Sequence, residues 1–195
     1  MARKKILKNK TQIVDAAFRL TETEGIDAVS MIRLSKELGV SSMTLYNYVR
    51  NADEILREML ILTLSDFFEH LYSILCNKRY TEESAIQSYA LAYALALYDL
   101  AEQHRDICQY MIGGGYARFH HDAELRPFYE PFDHFLLFSS EGKREARKEL
   151  YLMFRGLVFS LIYEHILGSN RFEQEEYLRM VNRFVDRMFN DDQET

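Results

Sequence analysis

Apolar residues recur along most of the chain at intervals of three and four, the repeat that places them on one face of a helix. Ile13, Ala17 and Leu20 carry it in a segment from about Lys10 to Glu24, which Gly25 ends. Ser30 is placed to cap a second helix, Met31 to Leu38, and Gly39 to stop it. A short third helix follows from about Ser42 to Tyr48, and Asn51 to Asp53 opens a long fourth that reaches about Leu75. Later helices are expected over Glu82–Gln103, His104–Ile112, roughly Ala123–Ser139, Lys143–Leu167 and Glu173–Phe189. No stretch alternates with period two between turn residues, so no strand is expected. The predicted fold class is all-α: a small amino-terminal domain, residues 1–56, holding three helices and a helix-turn-helix, then a larger helical domain, residues 57–195.

Eight glycines and two prolines punctuate this pattern sparsely. Gly113, Gly114 and Gly115 form a cluster that reads as a break between helices. It lacks the preceding strand and the lysine of a phosphate-binding loop. No internal repeat or low-complexity segment interrupts the chain.

Charge divides the molecule. The net charge is −6. Residues 1–57 hold ten Lys/Arg against seven Asp/Glu, a surplus of +3; of the 24 basic and 30 acidic residues overall, 14 and 23 remain for the rest, which is −9. A basic front and an acidic body point to two tasks in one chain. A hydrophobic content of 48% with 28% charged residues fits a soluble globular protein. "MARKKILKNK" leads into no long apolar region, so no secretory signal is expected. No apolar run, Ala90 to Tyr98 included, approaches the roughly 20 residues that span a bilayer. A cytoplasmic location and no membrane partner are expected. Cys76 and Cys108 lie far apart outside any CxxC pair and are expected as free thiols.

The stretch "KELGVSSMTLYNYVRNADEIL" departs from ordinary amphipathic helix. Leu34, Leu38, Val40, Leu45 and Val49 supply the inside of two short helices joined at Gly39. The outside of the second is then Ser41, Ser42, Met43, Thr44, Tyr46, Asn47 and Tyr48. Hydroxyls and phenols can donate to phosphate oxygens, an amide suits an adenine edge, and a methionine suits a thymine methyl. Exposed Ser, Thr and Asn are also common on helices with no ligand, and general helical packing remains the alternative reading.

Residues 11–56 resemble the DNA-binding domain of the tetracycline-repressor (TetR) family of bacterial regulators. The matching residues are Thr11, Ile13, Ala16, Ala17, Leu20 and Gly25, then Ser30, Leu34, Ser35 and Leu38, then "GVSSMTLYNYV" from Gly39 to Val49. The resemblance implies that Tyr46 contacts a phosphate, helped by Ser30, Ser41 and Thr44. It implies that Ser42, Met43 and Asn47 face the bases, with Tyr48 at the boundary. Two positions depart from the family pattern. Ala52 stands where a backbone-contacting lysine usually begins the fourth helix, so that Arg50 or the free N–H groups of the helix end would have to substitute. Ile32 replaces a commonly polar residue.

A single helix-turn-helix contacts few base pairs, and such modules gain affinity by pairing about a two-fold axis. "ELYLMFRGLVFSLIYEHIL", Glu149 to Leu167, is apolar nearly all round and calls for burial on two sides, one of them a partner chain. Tyr177, Val181, Phe184, Val185 and Met188 form the stripe of the last helix, with Arg179, Arg183 and Arg187 on other faces. The alternative is that both helices only complete a monomer core. Region 82–139 is the expected sensor, with Tyr89, Tyr93, Phe119 and Phe135 as candidate ligand contacts; an aromatic stripe is equally the mark of plain core.

"HHDAE", His120 to Glu124, contains metal-ligand types but reads as a solvated loop, and no metal or cofactor is expected. No Ser-His-Asp or paired-carboxylate spacing makes a case for an enzyme. The reading is a homodimeric, ligand-responsive transcription regulator, a repressor of a palindromic duplex operator released by a small apolar or aromatic effector. The rival readings are a protein-interaction module or coactivator that has lost DNA binding, and a small helical enzyme.

Overall fold

The computed structural model describes residues 7–76, 82–119, 121–125 and 144–190. Its helices are α1 (Thr11–Glu24), α2 (Met31–Leu38), α3 (Ser42–Tyr46), α4 (Ala52–Leu75), α5 (Glu82–Gln103), α6 (Arg105–Ile112), α7 (Arg144–Leu167) and α8 (Gln174–Asn190). Single 3-10 turns lie at Ile26–Ala28 and Gly115–Phe119, and no strand occurs among the described residues. The all-α class is as the sequence predicts. Most of the helix expected over Ala123–Ser139 lies outside the described residues. α3 ends two residues before Tyr48, because the N–H groups of Asn47 and Tyr48 bond the carbonyls of Thr44 and Leu45, tightening the last turn.

The chain forms two compact units. The first takes the described residues up to Ser65 together with Asp106–Phe119. Its core is Ile13, Val14, Ala17 and Leu20 of α1, Leu34 and Leu38 of α2, Leu45 of α3, and Ile55, Met59 and Leu60 of α4. Each set follows the three-four spacing, so every helix turns one stripe inward. Asn9 Oδ1 accepts the Gln12 N–H (3.1 Å) while Gln12 Oε1 accepts the Lys8 N–H (2.8 Å), which satisfies free donors where α1 begins.

The second unit, Asp66–Arg105 with the described residues from His121 on, is built about α5. α7 and α8 both pack on α5 and on each other. Tyr177, Val181 and Val185 of α8 and Tyr151, Phe154, Val158, Ile162 and Ile166 of α7 are buried. Two phenols fasten the corner between α7 and α8 to α5. Tyr177 Oη donates to Ala94 O (3.1 Å), and Tyr98 Oη donates to Phe172 O (2.8 Å). Buried His165 completes the joint. The Phe172 N–H donates to its Nδ1 (3.1 Å), which leaves Nε2 to donate to Glu102 Oε1 (2.7 Å).

By length and composition the Lys148–Leu167 part of α7 could cross a membrane. Its buried arc packs instead on α5 and α8, the environment of a bundle helix.

Tyr177 is fully buried and holds α8 to α5 through Ala94 O and the Tyr98 ring, so Tyr177→Ala is expected to cost about 3–5 kcal/mol by analogy with other large-to-small aromatic substitutions. Urea unfolding followed by far-UV circular dichroism checks this; a loss below about 1 kcal/mol would remove Tyr177 from the core of the unit.

Candidate nucleic-acid interface

Local backbone chemistry fixes the two short helices. Ser30 sits in extended conformation before α2, and its Oγ accepts the Arg33 N–H at 3.3 Å. At the other end Gly39 adopts φ +66°, a left-handed conformation that disfavours side chains. The Gly39 N–H bonds Lys36 O (3.2 Å) and the Val40 N–H bonds Ser35 O (3.0 Å), the paired bonds of a Schellman stop. A Cβ at Gly39 would meet nothing within 4 Å, so the requirement for glycine is backbone conformation and not crowding.

α3 starts two residues later on a second cap. Ser41 Oγ accepts the Thr44 N–H (3.2 Å) and lies 2.9 Å from Thr44 Oγ1. Ser42 Oγ donates to Ser35 Oγ (3.2 Å), which in turn donates to Ile32 O (2.9 Å), so hydroxyls tie α3 to α2. Leu45 and Val49 are buried beneath. What remains outward on and beside α3 is Met43, 75% exposed, Tyr46, 54% exposed, and Asn47. Ile32 on α2 is also exposed.

Helix α3 therefore offers a flat phenol, an amide and a thioether on the outside of a helix held by a glycine stop before it and a serine cap at its start. That geometry belongs to a known group: residues 13–59 match the family described as bacterial regulatory proteins, tetR family. Residues 13–59 are a TetR-family domain. The chain is 32% identical over 81 residues to an uncharacterised HTH-type transcriptional regulator of Bacillus subtilis, spanning 42% of this chain and 41% of that relative's length. It is 25% identical over 169 residues to an HTH-type transcriptional regulator of Staphylococcus aureus, covering 84% of this chain and 86% of that one. The solved structure of the fatty acid degradation regulator FadR from Bacillus halodurans shares the fold, with a TM-score of 0.67 at 14% identity over 92% of this chain and 96% of that one.

Within the TetR domain the nine residues singled out from sequence fall into groups. Met43, Tyr46, Asn47 and Arg50 are exposed, the Arg50 side chain at 93%. Ser30, Ser41 and Thr44 hold the helix ends and keep hydroxyl hydrogens or lone pairs for a further partner. The proton of Ser42 is directed at Ser35. Tyr48 is half-buried and donates its hydroxyl to Leu7 O (2.9 Å), which leaves that oxygen only as an acceptor.

This last bond and one ion-pair cluster had no signal in the sequence. Lys10 Nζ reaches Glu54 Oε1 (2.8 Å) and Glu58 Oε1 (2.7 Å) on α4, so one cation of the basic arm is spent inside the domain. The partners lie 44 and 48 residues away, beyond any helical spacing. Burial pulls the Lys10 pKa down, but the hydrogen bonds and charges of both glutamates outweigh it and raise it overall. Glu54 is held below the ordinary carboxylate value, chiefly by the Lys10 hydrogen bond and then by the Arg50 backbone N–H at 2.8 Å.

The start of α4, where Ala52 stands, is capped from both sides. Asn51 Oδ1 accepts the Glu54 N–H (2.9 Å) and Glu54 reaches back to Arg50. Asp53 pairs with Arg118 from the Gly115–Phe119 turn (2.8 Å). Two carboxylates thus occupy this terminus, each facing a cation, and Arg50 is the exposed cation next to it.

The four candidate ligand contacts are not brought together in one unit. Tyr89 and Tyr93 lie on α5 in the second unit, 3% exposed each, and burial raises both phenol pKa values. Tyr93 packs edge-on against Phe67 and Phe154, the ring geometry of a core residue. Phe119 belongs to the first unit, and Phe135 lies outside the described residues. Both cysteines are free. Cys108 is buried, which pushes its thiol up to about 12, while Cys76 is exposed. Among the described residues no three potential metal ligands converge; His120 lies outside them and His121 is exposed.

The Lys10 cluster makes a pH-dependent contribution. The lowered Glu54 pKa stabilises the fold fully above the ordinary carboxylate value of 4.5 and loses that effect as pH falls through the lowered one. The raised Lys10 pKa stabilises fully below 10.5 and loses its effect above. Lys10→Met is expected to destabilise the domain by roughly 0.5–1 kcal/mol at pH 7 and by less at pH 3. Thermal unfolding of wild type and variant at the two pH values checks this, and an equal deficit at both would sink the electrostatic account.

Proposed function

We propose that the chain is a homodimeric transcription regulator that binds a palindromic duplex operator, represses transcription, and is released by a small apolar or aromatic effector. The observation that carries the reading is the outward set Met43, Tyr46 and Asn47 on a short helix held by a glycine stop and a serine cap. Tyr46 is the phosphate contact, with the hydroxyls of Ser30, Ser41 and Thr44. Asn47, Met43 and Ser42 face bases, and Arg50 supplies charge where Ala52 supplies none.

Dimerisation is supported by the outer arc of α7. Leu152, Met153, Gly156, Ser160, Tyr163 and Leu167 are all exposed and share one side of the helix, opposite the buried arc. A Cβ at Gly156 would meet nothing within 4 Å, so this side has room for a second helix to approach closely. Two chains paired there would carry two reading helices, and half-sites one helical turn apart require about 34–36 Å between them. An effector that binds better to another separation weakens DNA binding by that difference in affinity.

Selection from random duplex DNA at low salt is the test. The wild type should enrich a palindrome, Tyr46→Phe should weaken every site alike, and Asn47→Ala should relax one base position by about 1–3 kcal/mol of discrimination. Affinity should fall steeply with salt, because phosphate contacts release counterions. No enrichment by a folded dimer would favour the interaction module, the reading that Ala52, Ile32 and the −6 charge support.

Met153→Glu places a charge at the amino-terminal end of the α7 stripe and should convert the dimer to monomer in sedimentation. Unchanged mass would move the interface elsewhere.

A further inference from the structure

Ser88, Leu91, Ala92 and Leu95 follow the three-four repeat and share one flank of α5, turned away from Tyr89 and Tyr93. Opposite them stand Ile74 and Leu75 at the end of α4, and Glu175, Leu178, Arg179 and Asn182 on α8. Together they enclose a cavity of about 550 Å³ that opens to the surface. Ser88 and Ala92 are small, and space remains between α5 and α8 at their level. The volume lies in the usual range for small-molecule sites.

The walls have two characters. Leucines, Ile74 and Ala92 make an apolar interior, while the α8 side of the mouth carries Glu175, Arg179 and Asn182 at successive turns, with Ser88 on α5. Arg179 makes no ion pair among the described residues, so its fork of N–H donors is available. Asn182 donates along its own helix to Asp186. A bare anion would suit Arg179 but would face Glu175 one turn earlier. An acid that also carries an N–H or O–H beside its charge satisfies both residues.

We infer that this cavity is a binding site for an amphipathic acid: an apolar body among Leu91, Leu95, Ile74 and Leu178, its anionic group on Arg179, and an adjacent N–H or O–H donated to Glu175. The site is separate from Tyr89 and Tyr93, and the inference does not depend on DNA binding by α3. Anilinonaphthalene sulfonate has this constitution, an apolar double ring with an N–H beside a sulfonate, and serves as the fluorescent probe.

Titration of the full chain should show one saturable site with enhanced fluorescence. Arg179→Gln, a change at an exposed position, should weaken binding about tenfold or more, the scale of a lost charge-assisted hydrogen bond. Ser88→Phe should narrow the cavity and weaken binding, with circular dichroism confirming the fold. Tyr93→Phe should leave affinity unchanged. N-decanoylglycine, which has an N–H beside its carboxylate, should displace the probe better than decanoate, and decanoate better than decanol. Absence of a saturable site would overturn the inference. So would binding indifferent to Arg179→Gln, binding lost with Tyr93→Phe in a folded chain, or equal displacement by decanol.

Discussion

The outward face of α3 depends on how its backbone is satisfied over the few residues before it. The end of one short helix and the start of the next leave several donors and acceptors without helical partners. Gly39 in left-handed conformation lets Val40 and its own N–H close on Ser35 and Lys36. Ser41 then takes up the Thr44 N–H. With these groups engaged locally, and with Leu45 and Val49 fixing the inner side, Met43, Tyr46 and Asn47 are left outward with nothing structural to do. Their availability is a consequence of economy elsewhere in the motif.

The rest of the first unit serves to hold that motif still. Tyr48, which sequence alone places toward DNA, gives its proton to Leu7 O and pins the incoming arm. Lys10 spans Glu54 and Glu58, joining the start of α1 to α4. Both contacts draw on residue types that could bind nucleic acid and use them internally. The negative charges at the α4 terminus suit the helix dipole, and each has a cation beside it. The electrostatic pull of the front of the molecule therefore rests on fewer free cations than the sequence count suggests.

In the second unit, α5 meets α7 and α8 through buried phenols as well as aliphatic side chains. A buried phenol brings a large apolar ring and a hydroxyl that needs a partner, so each one fixes position more strictly than a leucine would. Tyr177, Tyr98 and His165 all act at the turn between α7 and α8. That rigid corner leaves the far arc of α7 exposed as a continuous stripe, and it leaves the flank of α5 that carries Ser88 and Ala92 incompletely filled.

The described helices, the helix stops at Gly25 and Gly39, the cap at Ser30 and the buried stripe of α8 were all legible in the amino-acid order. Each depends on residues no more than a turn or two apart, where spacing and backbone preference decide. The resemblance to TetR proteins was carried by the same local motif. What the order of residues could not show were contacts across long separations: Lys10 with α4, Tyr48 with Leu7, Arg118 with Asp53. Nor could it tell which aromatic residues are spent on packing, since Tyr93 in a core and Tyr93 in a ligand site have the same helical spacing. Periodicity assigns a side chain to a face of its helix, but only the neighbouring helices determine whether that face meets a well-packed wall, a cavity or open space.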